Sequence, residues 1–224
     1  MKLTHLFIAN ACYSGKHKEM IDSRAEYAAN MLNLPLVKTN TNLADAFVDL
    51  NHNQSHYFRA FFSILSLRKL WKTYYFSTGV DFSHFSLNNS STKDTVFIEL
   101  LLNEIVSVHG FRVYSGGVDA ERHQKIQSLI NYPITYDLLH VCLYPANELN
   151  CGDCDKCIRT LLALDVYGAL DLYKKSFNID KYLETRLEKI QYLVKGKKNS
   201  FLEPIYIEFL KVDPELIKQV EALT

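Results

Sequence analysis

Short apolar segments alternate with longer segments of helical periodicity through the first two thirds of the chain. The short segments are rich in aliphatic and aromatic residues, which is typical of buried strands. Four of them are predicted strands: residues 3–9, 36–39, 73–76 and 111–114. The longer segments place apolar residues at i, i+3 and i+4, as one face of a helix does. Three of them are predicted helices: residues 23–32, 54–70 and 94–108, the last with Asp94 as its cap.

Strands separated by helices predict an α/β fold. Parallel strands need a crossover connection, which is usually a helix, and the helices then cover both faces of the sheet. We therefore predict a three-layer α/β/α, Rossmann-like body with a mostly parallel sheet over residues 1–140.

The pattern becomes helical from Cys157 onward. One apolar stripe is predicted to share a helix face, and its members are Leu183, Leu187, Ile190 and Val194. Gly196 is predicted to end this helix, and Asp213 with Pro214 to begin the last one. Residues 141–224 are therefore predicted to form a cysteine site and a helical extension.

The charge balance excludes a general electrostatic attraction to nucleic acid or anionic lipid. The 224 residues contain 25 Lys and Arg against 25 Asp and Glu, and 48% of the residues are hydrophobic. A small molecule, a nucleotide or another protein is the expected partner. No apolar stretch approaches the roughly 20 residues of a membrane helix, and the first residues do not begin a secretion signal, so we expect a cytoplasmic protein.

Four of the five cysteines have the spacing of a metal site. Cys142, Cys151, Cys154 and Cys157 form the pattern C-x8-C-x2-C-x2-C, with Gly152 allowing a tight turn after the second cysteine. Four thiolates are typical of a tetrahedral structural zinc site, in which no position is left for water. In a reducing compartment this cluster favours a metal over disulfides.

Several alternatives to this interpretation remain at the level of the sequence. An iron–sulfur cluster also accepts four cysteines, and the thiols could simply be buried without a metal. His140 could replace one thiolate, although a packed histidine beside the site is the plainer interpretation. Cys12 is isolated and is predicted to be a small core or surface residue.

The cysteine motif resembles a known family. Together with Arg159, it is similar to the zinc motif of 7-cyano-7-deazaguanine synthases and of their relatives among the ATP-pyrophosphatase (PP-loop) proteins, and it looks closer to the relatives. Weaker similarity extends over other parts of residues 1–170. These parts are the stretches 13–19 and 28–41 and the group Gly116, Gly117, Arg122 and Lys125.

The resemblance implies a chemistry. In this family ATP, with Mg²⁺, activates a carboxylate or carbonyl as an adenylate and releases pyrophosphate. Ammonia or another nucleophile then displaces AMP. The family holds the phosphates in a Ser-Gly-Gly-x-Asp-Ser loop between its first strand and first helix, where backbone N–H groups face the anion.

A similar hexapeptide occurs here at residues 115–120, with alanine in place of the last serine. Residues 120–141 leave too little chain for the strands and helices that normally separate the phosphate loop from the zinc site. The segment is therefore predicted to be a glycine turn before the helix that carries Arg122 and Lys125, with phosphate binding as the alternative.

If that segment is not the phosphate loop, the chain is expected to begin at the family's second strand and to lack the first strand with its loop. The first strand is central in such a sheet, so its absence would expose unpaired backbone groups. Another polypeptide could supply the strand, a second copy could pair edge to edge, or residues 3–9 could occupy the central position.

Two classes of function follow. In the first, the chain is a degenerate or split adenylating enzyme that works with a partner carrying the phosphate loop. Polar and basic residues would then line the crevice at the carboxyl ends of the strands and bind nucleotide or substrate: Thr41, Asn42, Ser77, Thr78, Arg122, Lys125 and Arg159. In the second, the chain is a non-catalytic, zinc-stabilised scaffold that binds a partner. No arrangement of catalytic residues indicates a third chemistry.

Overall fold

The computed structural model describes residues 2–12, 15–88, 93–142 and 150–223. The chain divides into two compact units, residues 1–121 and 122–224. Residues 122–140, which are predicted to lie in the α/β body, fall in the second unit. Tyr13 and Ser14, which contribute to the weaker family similarity, lie outside the described residues. No helix in the described part of the chain combines the length and the apolar character needed to cross a membrane.

The first unit is mixed α/β, as predicted. Its four strands lie where the sequence predicts them, to within a few residues: β1 Leu6–Asn10, β2 Leu36–Asn40, β3 Thr73–Ser77 and β4 Arg112–Gly116. Its α-helices among the described residues are α1 Gly15–Leu32, α2 Leu43–Ala46, α3 His52–Ser66 and α4 Glu99–Val106. The described residues of the unit also include two 3₁₀ turns, Phe82–His84 and Thr95–Ile98.

The strands pair in parallel, but they do not form the single predicted sheet. β1 pairs with β2, with Leu6 opposite Leu36, and β3 pairs with β4, with Thr73 opposite Arg112. Among the described residues no strand hydrogen-bonds to both pairs, so the unit contains two small two-stranded sheets. The three-layer arrangement around one sheet stays a prediction.

Aromatic side chains link β1 to the segment that contains β3. The Phe7 ring lies 5.9 Å from the Trp71 ring and 5.8 Å from the Tyr74 ring, measured between centroids. The hydrophobic core of this unit continues under α3 and α4. Its buried side chains are Tyr57, Phe61, Ile64, Leu102, Phe111 and Val113. Side-chain packing therefore joins the two strand pairs where no backbone ladder does.

In this unit the predicted helix cap at Asp94 is correct, whereas the predicted helix bounds differ from the observed ones. The Asp94 carboxylate accepts a hydrogen bond from the Val96 N–H at 3.0 Å, as its predicted capping role requires. However, the helix opens with the 3₁₀ turn before α4 begins. Helix α1 starts at Gly15, eight residues before the predicted position 23. The prediction missed these residues because the first turns of the helix are mostly polar and lack the apolar spacing that indicates a helix.

The second unit is helical. Its helices among the described residues are α5 Arg122–Leu129, α6 Thr135–Leu138, α7 Asp155–Val166, α8 Ile179–Glu184, α9 Arg186–Lys195, α10 Glu203–Val212 and α11 Pro214–Ala222. A 3₁₀ turn, Leu170–Tyr173, follows α7. Helix α7 is the centre of this unit: its side chains are buried nearly all round, including Ile158, Leu161, Leu162 and Leu164.

The predicted apolar stripe is only half correct. Thr185 separates α8 from α9, so Leu183 and Leu187 do not continue the face on which Ile190 and Val194 are buried; they are 53% and 50% exposed. The predicted helix boundaries hold better. Gly196 follows α9, and Asp213 caps α11 by accepting a hydrogen bond from the Leu216 N–H at 3.1 Å.

Candidate metal centre

The four predicted cysteines converge on one point. The Sγ atoms of Cys142, Cys151, Cys154 and Cys157 all lie within 4.8 Å of one another, and those of Cys151 and Cys157 are 3.8 Å apart. Four thiolates around one zinc ion, each at about 2.3 Å, would be separated by about 3.8 Å at the corners of a tetrahedron. The four residues could therefore hold a metal ion such as zinc.

A short loop and a helix start bring three of these sulfurs together. Gly152 has φ +80°, a conformation that residues with a side chain rarely adopt, and it reverses the chain just after Cys151. The Cys154 N–H then donates to the Cys151 Sγ at 3.4 Å. Cys154 immediately precedes α7 and Cys157 lies in its first turn, so the central helix of the unit carries the site.

The site is largely withdrawn from water. Cys157 is fully buried, and Cys142 and Cys154 are buried as well, whereas Cys151 is half-buried. Burial raises the pKa of Cys157, and the nearby Cys154 and Cys142 sulfurs raise it further. Several thiolates can share so small a buried volume only if a cation compensates their charge.

Asn150 connects the two halves of the cysteine motif. Its Oδ1 accepts hydrogen bonds from the N–H groups of Val141 (2.8 Å) and Cys142 (3.0 Å). Its Nδ2 donates to the carbonyl oxygens of Leu139 and Ser176, both at 2.9 Å. The side chain is buried, and all four bonds go to backbone, so Asn150 fixes where Cys142 lies relative to Cys151.

Asp153, inside the cysteine loop, attaches the loop to the helices that follow. Its carboxylate forms ion pairs with Lys181 of α8 at 2.5 Å and with Lys189 of α9 at 2.9 Å. The hydrogen bonds from Lys181 and Lys189 hold the pKa of Asp153 below its usual value. No local sequence pattern predicts these pairs, because 28 and 36 residues separate the partners.

The remaining candidate ligands lie outside the group of four. His140 is half-buried and contributes no atom to the cluster, which agrees with the plainer sequence interpretation. Cys12 is half-buried in the other unit, where its thiol donates to the His56 carbonyl at 3.6 Å. The compact spacing of the four sulfurs also fits one ion better than an iron–sulfur cluster, which places several iron atoms between its cysteines.

The predicted binding residues of the first unit lie at the carboxyl ends of β2 and β3, which belong to different strand pairs. Thr41 and Asn42 follow β2, while Ser77 ends β3 and Thr78 follows it. Two of these hydroxyls make local turn contacts: Thr41 donates to the Asn10 carbonyl at 3.3 Å, and Thr78 donates to the Val80 carbonyl at 2.7 Å. These residues end or follow the two strands, and their role in binding stays a prediction.

Arg122 and Arg159 share one aromatic ring in the second unit. Their guanidinium carbons lie 5.8 and 4.6 Å from the centre of the Phe201 ring. Lys156 belongs to the same group: burial lowers its pKa, and the charges of Arg122 and Arg159 lower it further. We refer to Arg122, Lys156, Arg159 and Phe201 as the cationic cluster. Lys125, the third predicted basic residue, lies one turn after Arg122 on α5.

Lys156 and Phe201 are not among the predicted site residues. Lys156 lies three residues before Arg159 on α7, a spacing that places both on one helix face and could have identified it. Phe201 precedes α10 and gives no comparable local signal.

The glycine segment at 115–120 forms the predicted turn. Ser115 and Gly116 end β4, Gly117 has φ +79°, and α5 begins at Arg122. The Ser115 hydroxyl donates to the buried Glu99 carboxylate at 2.6 Å. That hydroxyl is therefore occupied within the core of the first unit.

Comparison with family models, with curated proteins and with solved structures found no match to this chain. The relation to the PP-loop proteins therefore remains a resemblance carried by the cysteine motif.

Proposed function

We propose that Cys142, Cys151, Cys154 and Cys157 hold one structural Zn²⁺ ion that stabilises the helical second unit. The observation that supports this most directly is the mutual approach of four sulfur atoms to within 4.8 Å. With four protein ligands no position remains open for water or substrate, so the ion organises the fold and takes no part in catalysis.

Metal analysis of the purified protein tests this proposal. One zinc and no iron per chain is the expected result. Cys157→Ser should abolish binding because it removes a fully buried ligand, whereas Cys12→Ser, the matched control outside the cluster, should retain one zinc. Full metal content in Cys157→Ser, or a metal-free wild type after purification in the presence of zinc, would contradict the proposal.

We further propose that the chain belongs to an ATP-dependent adenylating system of the PP-loop kind. The parallel pairing of β1 with β2 and of β3 with β4 supports this, because a further strand that paired with both would join them into one parallel sheet. The polar ends of β2 and β3 then correspond to the position at which α/β sheets bind their ligands. A second polypeptide, or a second copy of this chain, would supply the joining strand, and a separate polypeptide could also carry the phosphate loop.

The cationic cluster supports an anionic substrate. Arg122 and Arg159 can each offer a planar pair of N–H donors to a phosphate or carboxylate, and Lys156 adds a third positive charge beside them. In an adenylation reaction the substrate carboxylate attacks the α-phosphorus of ATP, and pyrophosphate leaves. The role of these cations would be to hold an anion in place while that bond forms.

Exchange of labelled pyrophosphate into ATP measures this step directly. We expect no exchange by the chain alone and exchange when the product of a neighbouring reading frame is added. Arg159→Met should reduce the exchange, whereas Arg186→Met, whose guanidinium pairs with Asp165 elsewhere in the unit, is the control.

A non-catalytic scaffold is the second candidate. It is favoured by the local engagement of Thr41, Thr78 and Ser115, whose hydroxyls already donate to other groups of the first unit. Zinc binding without ATP binding, in the presence or absence of any partner, would favour the scaffold over the enzyme.

A further inference from the structure

A cavity of about 330 Å³ lies in the first unit, and its lining includes none of the predicted site residues. It is bounded by α3 on one side and by α2 and the segment that follows it on the other. Its lining residues are Leu43, Phe47, Leu50, Asn51, Gln54, Ser55, Phe58, Arg59 and Phe62. This volume lies at the lower end of the range, about 300 to 1,000 Å³, that small-molecule sites occupy.

The wall of the cavity is mostly apolar and open to solvent. Phe47, Phe58 and Phe62 are 43%, 54% and 58% exposed. On α3, positions 55, 58, 59 and 62 lie on one helix face, so the same face presents both aromatic rings and Arg59. Large aromatic side chains at this exposure, gathered around a concavity, are typical of a surface that binds something.

Arg59 is the one charged residue among those that line the cavity, and it is 93% buried. Its Nη2 donates to the carbonyl oxygens of Phe47 at 2.6 Å and Leu50 at 3.3 Å. Its Nε is buried and has no hydrogen-bond partner among the described residues. Its Nη1 donates to no described residue and is not among the buried atoms that lack a partner, so it is available to donate to an oxygen atom of a bound molecule.

No described acidic residue forms an ion pair with Arg59. Burial raises the pKa of nearby Cys12, against a smaller opposite effect of Arg59, so the thiol supplies no negative charge at neutral pH. Two neutral carbonyl oxygens are thus the described partners of a buried guanidinium. A buried charge in this state favours an external counter-ion.

We propose that this cavity binds a small monoanionic molecule, a carboxylate with an apolar body. The carboxylate pairs with Arg59, and the hydrocarbon part lies against the phenylalanine rings of the wall. A singly charged ligand is favoured because the cavity offers one cation, and an apolar body is favoured because the remaining walls offer few polar groups.

Isothermal titration calorimetry of the full chain tests the proposal with two carboxylates, octanoate and 4-phenylbutyrate, and with their neutral amides. Each carboxylate is expected to bind once per chain. Each amide is expected to bind at least about tenfold more weakly, because it cannot form a charge-assisted bond to the guanidinium. This comparison needs no variant, so it is independent of any effect of mutation on folding.

Two pairs of variants locate the site. Arg59→Met should lower the carboxylate affinity to that of the amide. Arg68→Met is the control and should leave the carboxylate affinity unchanged. Arg68 also donates to a carbonyl oxygen of the first unit, but it is exposed. Phe58→Ser should weaken carboxylate and amide alike, whereas Phe82→Ser, at an exposed phenylalanine that does not line the cavity, should weaken neither. If Arg59→Met does not fold, Arg59→Lys and Phe58→Ser carry the test.

Three results would overturn the proposal. The first is the absence of binding by both carboxylates, and the second is equal affinity for carboxylate and amide. The third is sedimentation of the wild type as a dimer that Phe58→Ser converts to a monomer, because the wall would then be an interface between copies.

Discussion

Asn150 and Arg59 are both buried polar residues, and they differ in how their polar atoms are satisfied. Asn150 forms four side-chain hydrogen bonds to backbone groups. Among the described residues, Arg59 donates hydrogen bonds only from Nη2. Complete satisfaction is expected of a residue that fixes the fold, whereas an unused buried donor is expected where a ligand supplies the missing partner. The contrast assigns a structural role to the first residue and a binding role to the second.

Replacing Asn150 should destabilise the second unit strongly. Asn150→Ala leaves two N–H groups and the Leu139 carbonyl oxygen without this partner, while the Ser176 carbonyl keeps its bond from the N–H of residue 150. Each buried group left unsatisfied costs about 1 to 3 kcal/mol. We expect a loss of at least about 3 kcal/mol in the free energy of unfolding, measured by urea denaturation of the zinc-loaded protein. Asn131→Ala, at an exposed asparagine of the same unit, should change it little. Similar effects of the two substitutions would contradict the role assigned to Asn150.

Asp22 provides a prediction about pH in the first unit. Burial acts to raise the pKa of this carboxyl, but hydrogen bonds from Asn10 and Lys18 outweigh it, and the pKa lies below its usual value. A carboxyl with a lowered pKa in the folded state stabilises the protein above its unfolded pKa of about 3.9, and this contribution is lost as the pH falls through the folded value.

The difference in unfolding free energy between the wild type and Asp22→Asn should therefore be about 1 kcal/mol at pH 7 and smaller at pH 3. Urea denaturation at the two pH values measures it. Asp45→Asn, at an exposed carboxylate of α2, is the control and should show no such change. A difference that grows as the pH falls would have the wrong sign and would contradict the assignment.

At the scale of elements, packing decides where helices end as much as local chemistry does. Gly196 follows α9 with φ −91°, so its backbone does not require glycine. A Cβ atom there would lie 2.3 Å from Leu202 Cδ1 and 3.2 Å from the Tyr192 carbonyl oxygen. Because Leu202 is buried, glycine is needed for the close approach of the chain segment before α10.

Gly196→Ala should consequently destabilise the protein by about 1 to 3 kcal/mol through overpacking, seen as a lower urea midpoint. Lys195→Ala, at the exposed neighbouring position, should have a much smaller effect. In the background of Leu202→Ala the additional cost of Gly196→Ala should fall, because the clashing methyl group is gone. An unchanged cost in that background would show that packing against Leu202 is not the cause.

At the scale of the whole molecule, the chain consists of two compact units, and the cysteine site lies within the second. The site ties the segment before Cys142 and the loop from Cys151 to the central helix α7, which packs on α5, α9 and α10. The first unit has its own core, built on α3, α4 and the two strand pairs. Loss of the metal should therefore act mainly on one unit.

Hydrogen exchange measured by mass spectrometry, before and after removal of zinc with a chelator, tests this expectation. Amides of α7 and α9 should lose protection by tenfold or more, since a structural zinc ion contributes directly to folding free energy. Peptides from α3 provide the internal control and should be unaffected. Equal loss of protection in both units would show that they unfold together.

Much of this arrangement could be predicted from local patterns. The four strands, the cap at Asp94, the helix start at Asp213 and the ligand set of the metal site all depend on residues close together in sequence. The stripe from Leu183 to Val194 failed because Thr185 interrupts the helix, and no periodicity within the stripe shows that break. Ion pairs such as that between Asp153 and Lys189 have no local signature at all.

The sequence by itself determined the mixed α/β character of the first unit, the helical character of the second and the identity of the four cysteines of the candidate metal centre. Periodicity and cysteine spacing are short-range properties, so they can be recognised in the sequence without knowledge of the fold. Only the tertiary structure decided that the strands form two separate pairs, that Asn150 fixes the cysteine loop, that Phe201 lies beside Arg122 and Arg159, and that Arg59 is buried in an apolar cavity. Each of these depends on contacts between residues distant in sequence, and such contacts are fixed by packing and burial in the folded chain.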